Sequence, residues 1–152
     1  FRGSLDARRN GLTAPARRGH RVVMSANPVF DLTNTYVHLT DGSAATALEV
    51  GEDFWRRIGE RAELGEGRLV CAFRFDEDWT SWEMHPAGDE VVCLLSGAID
   101  VILDEGGVEE VIELRHRGAC IVPRGVWHTA RAHAPSEALH ITRGAGTQHR
   151  PR

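Results

Sequence analysis

The sequence predicts an all-β domain, a sandwich or barrel of antiparallel strands, and three observations predict it. Eight short apolar runs follow one another between residues 69 and 142, each of strand length and each bounded by Gly, Pro or Asp. Two of the gaps between them, Ser96-Gly97 and Asp104-Glu105-Gly106-Gly107, carry the glycine that a tight hairpin turn requires. No helical pattern is long enough to serve as the crossover of a parallel sheet.

In chain order, residues 1 to 23 read as a disordered or non-native extension, and Met24-Ser25-Ala26-Asn27-Pro28 reads as the start of a single domain spanning residues 24–152. Six arginines against Asp6 alone give the extension a charge of +5, so the rest of a chain of net charge −4 carries −9. A domain that acidic repels a phosphate backbone, which argues against a nucleic-acid partner. Thr35 to Thr40 and Ala45 to Val50 are candidate strands. Asp53 to Ile58 then places Phe54, Trp55 and Ile58 on one helical face, a short surface helix suited to covering the outside of a sheet. The eight runs follow at 69–75, 79–85, 90–95, 98–103, 108–114, 120–122, 126–132 and 138–142, so the barrel core is expected at about 68–142. The tail from Gly144 to Arg150 reads as a flexible glycine segment.

A length of 152 residues suits one domain with one core. With 41% apolar and 26% charged residues, and no apolar run near the ~20 residues of a membrane-spanning helix, a cytoplasmic protein without a membrane partner is expected. Every basic residue is Arg. The absence of Lys removes Schiff-base, pyridoxal phosphate and lysine-dependent P-loop chemistry. Cys71, Cys93 and Cys120 lie inside apolar runs without CxxC spacing and read as reduced core residues.

The chemistry concentrates in two segments. Residues two apart on a strand share a face, so Glu83 and His85 point one way while Trp82 and Met84 point the other. Pro86-Ala87-Gly88-Asp89 makes a turn, and Glu90 opens the next strand close to the same space. His128 follows the rigid Pro123-Arg124-Gly125 turn. Imidazole and carboxylate together suit Mn, Fe, Zn or Ni with positions left open for substrate. Trp82 and Trp127 flank these residues and are expected to pack on the outer face. His140 is a candidate acid or base reaching the interior; Arg74 and Arg131 are expected on solvated faces. His38, His116, His133 and His149 have no partner at ligand spacing.

The segments Glu83-x-His85-x4-Glu90-x6-Gly97 and Pro123-x-Gly125-x2-His128 resemble the two signature motifs of the cupin superfamily, usually G-x5-H-x-H-x3,4-E-x6-G and G-x5-P-x-G-x2-H-x3-N. The resemblance implies a double-stranded antiparallel β-barrel of the jelly-roll type, here with one short N-terminal helix, often dimeric. It also implies one divalent metal held at Glu83, His85, Glu90 and His128. Glu83 stands where the first motif His is expected, Glu77 and Arg117 stand at the two initial Gly positions, with Gly118 one residue on as the shifted turn glycine, and Ala132 replaces the final Asn. Two carboxylates neutralise a divalent cation, which favours Mn2+ or Fe2+, with Zn2+ and Ni2+ open. Glu83 is either a ligand or a general base beside a three-ligand metal; with His140 it forms the candidate catalytic set.

The function so implied is a mononuclear metalloenzyme of dioxygenase, isomerase, decarboxylase or hydrolase type, acting on a small oxygenated molecule. The alternative is a non-catalytic barrel that binds or senses a small ligand, possible without metal.

Overall fold

Period-two alternation governs the chain. The computed structural model describes residues 28–152, so the arm expected at residues 1–23 lies outside the described residues. The strands are β1 (Thr35–Leu39), β2 (Ala45–Glu49), β3 (Arg68–Phe75), β4 (Ser81–Met84), β5 (Glu90–Ser96), β6 (Ile99–Glu105), β7 (Val108–Leu114), β8 (Ala119–Val122), β9 (Trp127–Ala132), β10 (Ser136–Thr142) and β11 (Gln148–Pro151). One helical turn, α1 (Phe54–Arg57), precedes two short 3-10 turns at Ile58–Glu60 and Ala62–Gly65.

The strands form two antiparallel sheets, ordered β2-β1-β3-β10-β5-β8 and β11-β4-β9-β6-β7. Their pairing is nested: β3 lies beside β10, β4 beside β9, β5 beside β8 and β6 beside β7. One long hairpin has wrapped around itself, and its two four-stranded halves face each other as a jelly roll. The expected double-stranded barrel is therefore present.

Alternation along each strand builds the interior. Val92 and Leu94 on β5, Ile99, Val101 and Leu103 on β6, and Ala138 on β10 project inward and form the main core. The outward neighbours of β5 and β8 stay accessible, Ile121 most of all at 62%. Gly97 makes the β5–β6 turn with φ 88°, and a Cβ there would lie 2.3 Å from Ser136 Oγ and 2.5 Å from the Pro135 carbonyl. Only glycine fits. The register between β5 and β10 slips at Glu137/Ala138, leaving Leu95 as a bulge.

Three expectations change. The helical segment does not cover the outside of a sheet: Phe54 packs with Tyr36, Leu48 and Cys71, joined by Ile58, Leu64 and Phe73, on the inward face of β1 to β3. Its apolar stripe is thus a wall of the barrel mouth. The glycine tail is not a loose segment either, since β11 pairs with β4 from Gln148↔Met84 to Pro151↔Ser81. At the second motif, the left-handed conformation has not moved to Gly118. His116 and Arg117 hold it, at φ 52° and 67°, and the turn closes through a hydrogen bond from Gly118 N to the Arg115 carbonyl at 2.8 Å.

Candidate metal centre

Two turns hold the motif residues in place. The Gly125 amide donates to the His85 carbonyl at 3.0 Å, and the Arg124 amide donates to Asp89 Oδ1 at 2.8 Å. These bonds tie the Pro86–Asp89 turn to the Pro123–Gly125 turn, fixing β4 and the start of β5 against β9. Glu83 then lies directly opposite His128. Glu90 stands between Val122 on β8 and Thr142 on β10.

The structure brings Glu83, His85, Glu90 and His128 together. Ligand atoms of Glu83, His85 and His128 all lie within 4.8 Å of one another. Glu90 Oε2 is 3.0 Å from His128 Nε2 and 3.6 Å from His85 Nε2. The other Glu90 oxygen, Oε1, accepts a hydrogen bond from Thr142 Oγ1 at 2.5 Å and lies 3.3 Å from His140 Nδ1. Burial alone would push the Glu90 carboxyl up, but the imidazoles of His128, His140 and His85 around it outweigh burial and hold the group well below its usual range. Glu90 is a buried carboxylate.

Five buried polar atoms lack a hydrogen-bond partner among the described residues: His85 Nε2, Glu90 Oε2, both ring nitrogens of His128, and His140 Nε2. Each unpartnered buried polar atom costs on the order of 1–3 kcal/mol. His85 Nε2, Glu90 Oε2 and His128 Nε2 converge, so a single cation fits them and removes that cost. Glu83 is a second carboxylate beside the two imidazoles, a ligand atom of each of the three lying within 4.8 Å of the others.

The cluster forms the floor of a cavity of about 760 Å³. Trp55, Ile58, Leu64, Leu69 and Phe73 make one wall, while Glu83, His85, Glu90, His140 and Thr142 face them. His128 is fully buried beneath. Cys71 also borders the cavity; burial, reinforced by the Glu90 and Glu83 charges, pushes its thiol up to about 12. It is a protonated core thiol, and so is Cys120, pushed up to about 11 chiefly by burial. Among the described residues all three cysteines are free.

Trp82 and Trp127 lie on the opposite face of β4 and β9, where the Arg150 guanidinium sits 5.2 Å and 4.5 Å from their ring centroids. Arg74 is exposed and pairs with Glu137 at 2.7 Å, and Arg131 is exposed too. Neither reaches the cavity. His133 pairs with Asp100 at 2.7 Å, and His38 Nε2 lies 2.9 Å from the Glu66 carbonyl.

Sequence reasoning missed two residues of the site. Thr147 Oγ1 lies 2.8 Å from His85 Nδ1, and His149 Nε2 lies 3.2 Å from Glu83 Oε1. The available signal was spacing: Thr147-Gln148-His149 repeats the two-residue period of Glu83-Met84-His85.

No protein-family model matches the sequence, and no curated protein matches it. Solved structures do. A cupin-2 domain protein from Shewanella frigidimarina is 19% identical, over 56% of this chain and 71% of its own, with a TM-score of 0.43. A Klebsiella pneumoniae protein with a double-stranded β-helix domain is also 19% identical, over 56% and 76%, with a TM-score of 0.47. Hydroquinone 1,2-dioxygenase from Sphingomonas is 18% identical, over 49% and 58%, with a TM-score of 0.42. These likenesses are distant and concern the fold: the nested topology is that of a double-stranded antiparallel β-barrel, and the six positions His85, Glu90, Gly97, Pro123, Gly125 and His128 resemble the cupin motifs in identity and spacing.

Proposed function

We propose that the protein holds one divalent metal ion between Glu83, His85, Glu90 and His128 and acts as a metalloenzyme on a small molecule seated in the adjoining cavity. The observation that supports this reading is the convergence of buried, unpartnered ligand atoms from His85, Glu90 and His128. Two carboxylates make the loaded centre neutral, which favours Mn2+ or Fe2+. Such an ion supplies Lewis-acid polarisation of an oxygen atom.

This chain's own residues do the rest. His140 and Thr142 hold Glu90 so that one oxygen faces inward. Glu83, with its side chain 30% exposed, is the group at the floor placed to exchange a proton with a ligand if it does not ligate. The apolar wall excludes water and favours a hydrophobic substrate. Arg61, the arginine bordering the cavity, is bound to Glu63 at 2.8 Å, so among the described residues no unpaired arginine lines it. A neutral, largely apolar molecule carrying a metal-binding oxygen suits this chemistry.

Elemental analysis and chelator-reconstitution titration test the reading. One metal per chain is the expected result. Metal content that stays far below one per chain after reconstitution sinks it and favours a metal-free ligand-binding barrel.

We also propose a homodimer of cytoplasmic location. Its support is the outer face of the six-stranded sheet, where the paired row Ala47, Val37, Val70, Ile141, Val91 and Ile121 crosses all six strands as an apolar surface. Six strands of about five residues span roughly 500 Å² per copy, so two copies reach the ~1,000 Å² that a specific interface needs. Sedimentation equilibrium of wild type and Ile121→Glu tests it; a monomeric wild type ends the proposal. Among the described residues no helix is long and apolar enough to cross a membrane.

A further inference from the structure

Resting on the metal reading above, we propose that the C-terminal segment from Gly144 to Pro151 is a clamp for the metal centre, with Thr147 and His149 as positioning residues for His85 and Glu83. The register carries the argument. Gln148 pairs with Met84 and His149 with Glu83, so Thr147 stands opposite His85. Side chains directly across an antiparallel pair touch, and both pairs lie on the inward face. A slip of one residue would present Gln148 and Arg150 instead.

The hydrogen-bond chain fixes a tautomer. Thr147 Oγ1 lies 2.8 Å from the Gly144 carbonyl oxygen, which only accepts, so the hydroxyl proton goes there. The same hydroxyl oxygen, 2.8 Å from His85 Nδ1, therefore accepts. Neutral His85 must carry its proton on Nδ1, and its Nε2 lone pair faces Glu90 and His128. A carboxylate also only accepts, so His149 Nε2–H donates to Glu83 Oε1 at 3.2 Å and leaves the second oxygen of Glu83 free.

Local geometry delivers Thr147 to this place. The Thr147 amide bonds back to the Gly144 carbonyl at 3.1 Å, closing a four-residue turn. Gly146 sits at its third position with φ 75°, as a type II turn requires. A Cβ on Gly146 would meet Pro86 Cγ at 3.3 Å, so the turn is packed against the residue that follows His85. The clamp spans 62 residues of sequence between His85 and Thr147, and 66 between Glu83 and His149.

Two measurements on the full-length protein test the clamp. In metal-free wild type, 15N NMR of the imidazoles is expected to find His85 protonated on Nδ1; a proton on Nε2 overturns the assignment, with no variant needed. Chelator competition with Co2+ then compares wild type with Thr147→Val, Thr147→Ser and His149→Ala, the metal-free melting temperature of each serving as a control on folding. Loss of a hydrogen-bond partner behind a ligand costs roughly 10- to 100-fold in metal affinity, so Thr147→Val is expected to weaken Co2+ binding by that factor and Thr147→Ser to restore it. Unchanged affinity in Thr147→Val overturns the clamp alone, and unchanged affinity in His149→Ala removes that residue from it. A wild type that takes up no Co2+ overturns the metal reading and the clamp with it.

Discussion

Glu83 on β4 faces His128 on β9 in direct register, and the pair shares with His85 a space in which all ligand atoms lie within 4.8 Å. Where the related motif carries an imidazole, this chain thus places a carboxylate against the most buried histidine of the centre. If Glu83 ligates, Glu83→Ala lowers metal affinity by more than the roughly 100-fold limit of a supporting contact, read by chelator competition. If it serves as a base, affinity holds and turnover falls. Unchanged affinity and unchanged turnover together would remove Glu83 from the site.

The left-handed turn at Arg115–Gly118 invites a stabilising change. Arg117 holds φ 67° with a side chain whose Cβ disfavours that region. Arg117→Gly is expected to raise unfolding free energy by about 1 kcal/mol, part of the relieved strain being offset by the greater freedom of unfolded glycine. Urea denaturation reads the difference, and a destabilised variant contradicts the strain account.

Asp100 gives the fold a pH dependence away from the metal centre. It is buried, accepts from Arg115 at 2.9 Å, and pairs with His133 at 2.7 Å. Burial pushes its carboxyl up, but His133 and Arg115 outweigh it, so the group titrates below its ordinary range. A depressed folded value contributes stability above the unfolded pKa of about 3.9 and loses it as pH falls through the folded value. Asp100→Asn should therefore cost about 2 kcal/mol at pH 7 and progressively less below about pH 4. A cost that stays constant across that range rules out the ionic account.

Leu94 is fully buried at the centre of the main core. Leu94→Ala removes its methyl groups and leaves a cavity, at a cost of about 3 kcal/mol in chemical denaturation. A loss below about 1 kcal/mol would mean that the barrel collapses around the gap.

The strands between residues 69 and 142 were legible because apolar residues alternate there between turns that need glycine. Position alone put Glu83 and His85 on one face and Trp82 on the other. β11 was not legible: Gln-His-Arg-Pro has no apolar alternation, and its order comes from pairing with β4 and from Arg150 lying over Trp82 and Trp127. The helical stripe of Phe54 and Ile58 told which side was apolar but not which surface it would meet. The cavity wall was hidden for the same reason, since it joins that stripe to β3.

The cavity is bordered by residues from His38 to His149, and the contacts behind Glu83 and His85 come from the last strand of the chain. A ribosome that has finished β10 has already produced Glu83, His85, Glu90 and His128, yet Thr147 and His149 are still to emerge. Synthesis order thus separates having the ligands from having them aligned. On the proposed clamp, tight metal capture is expected only after residues 144–151 have emerged and paired with β4.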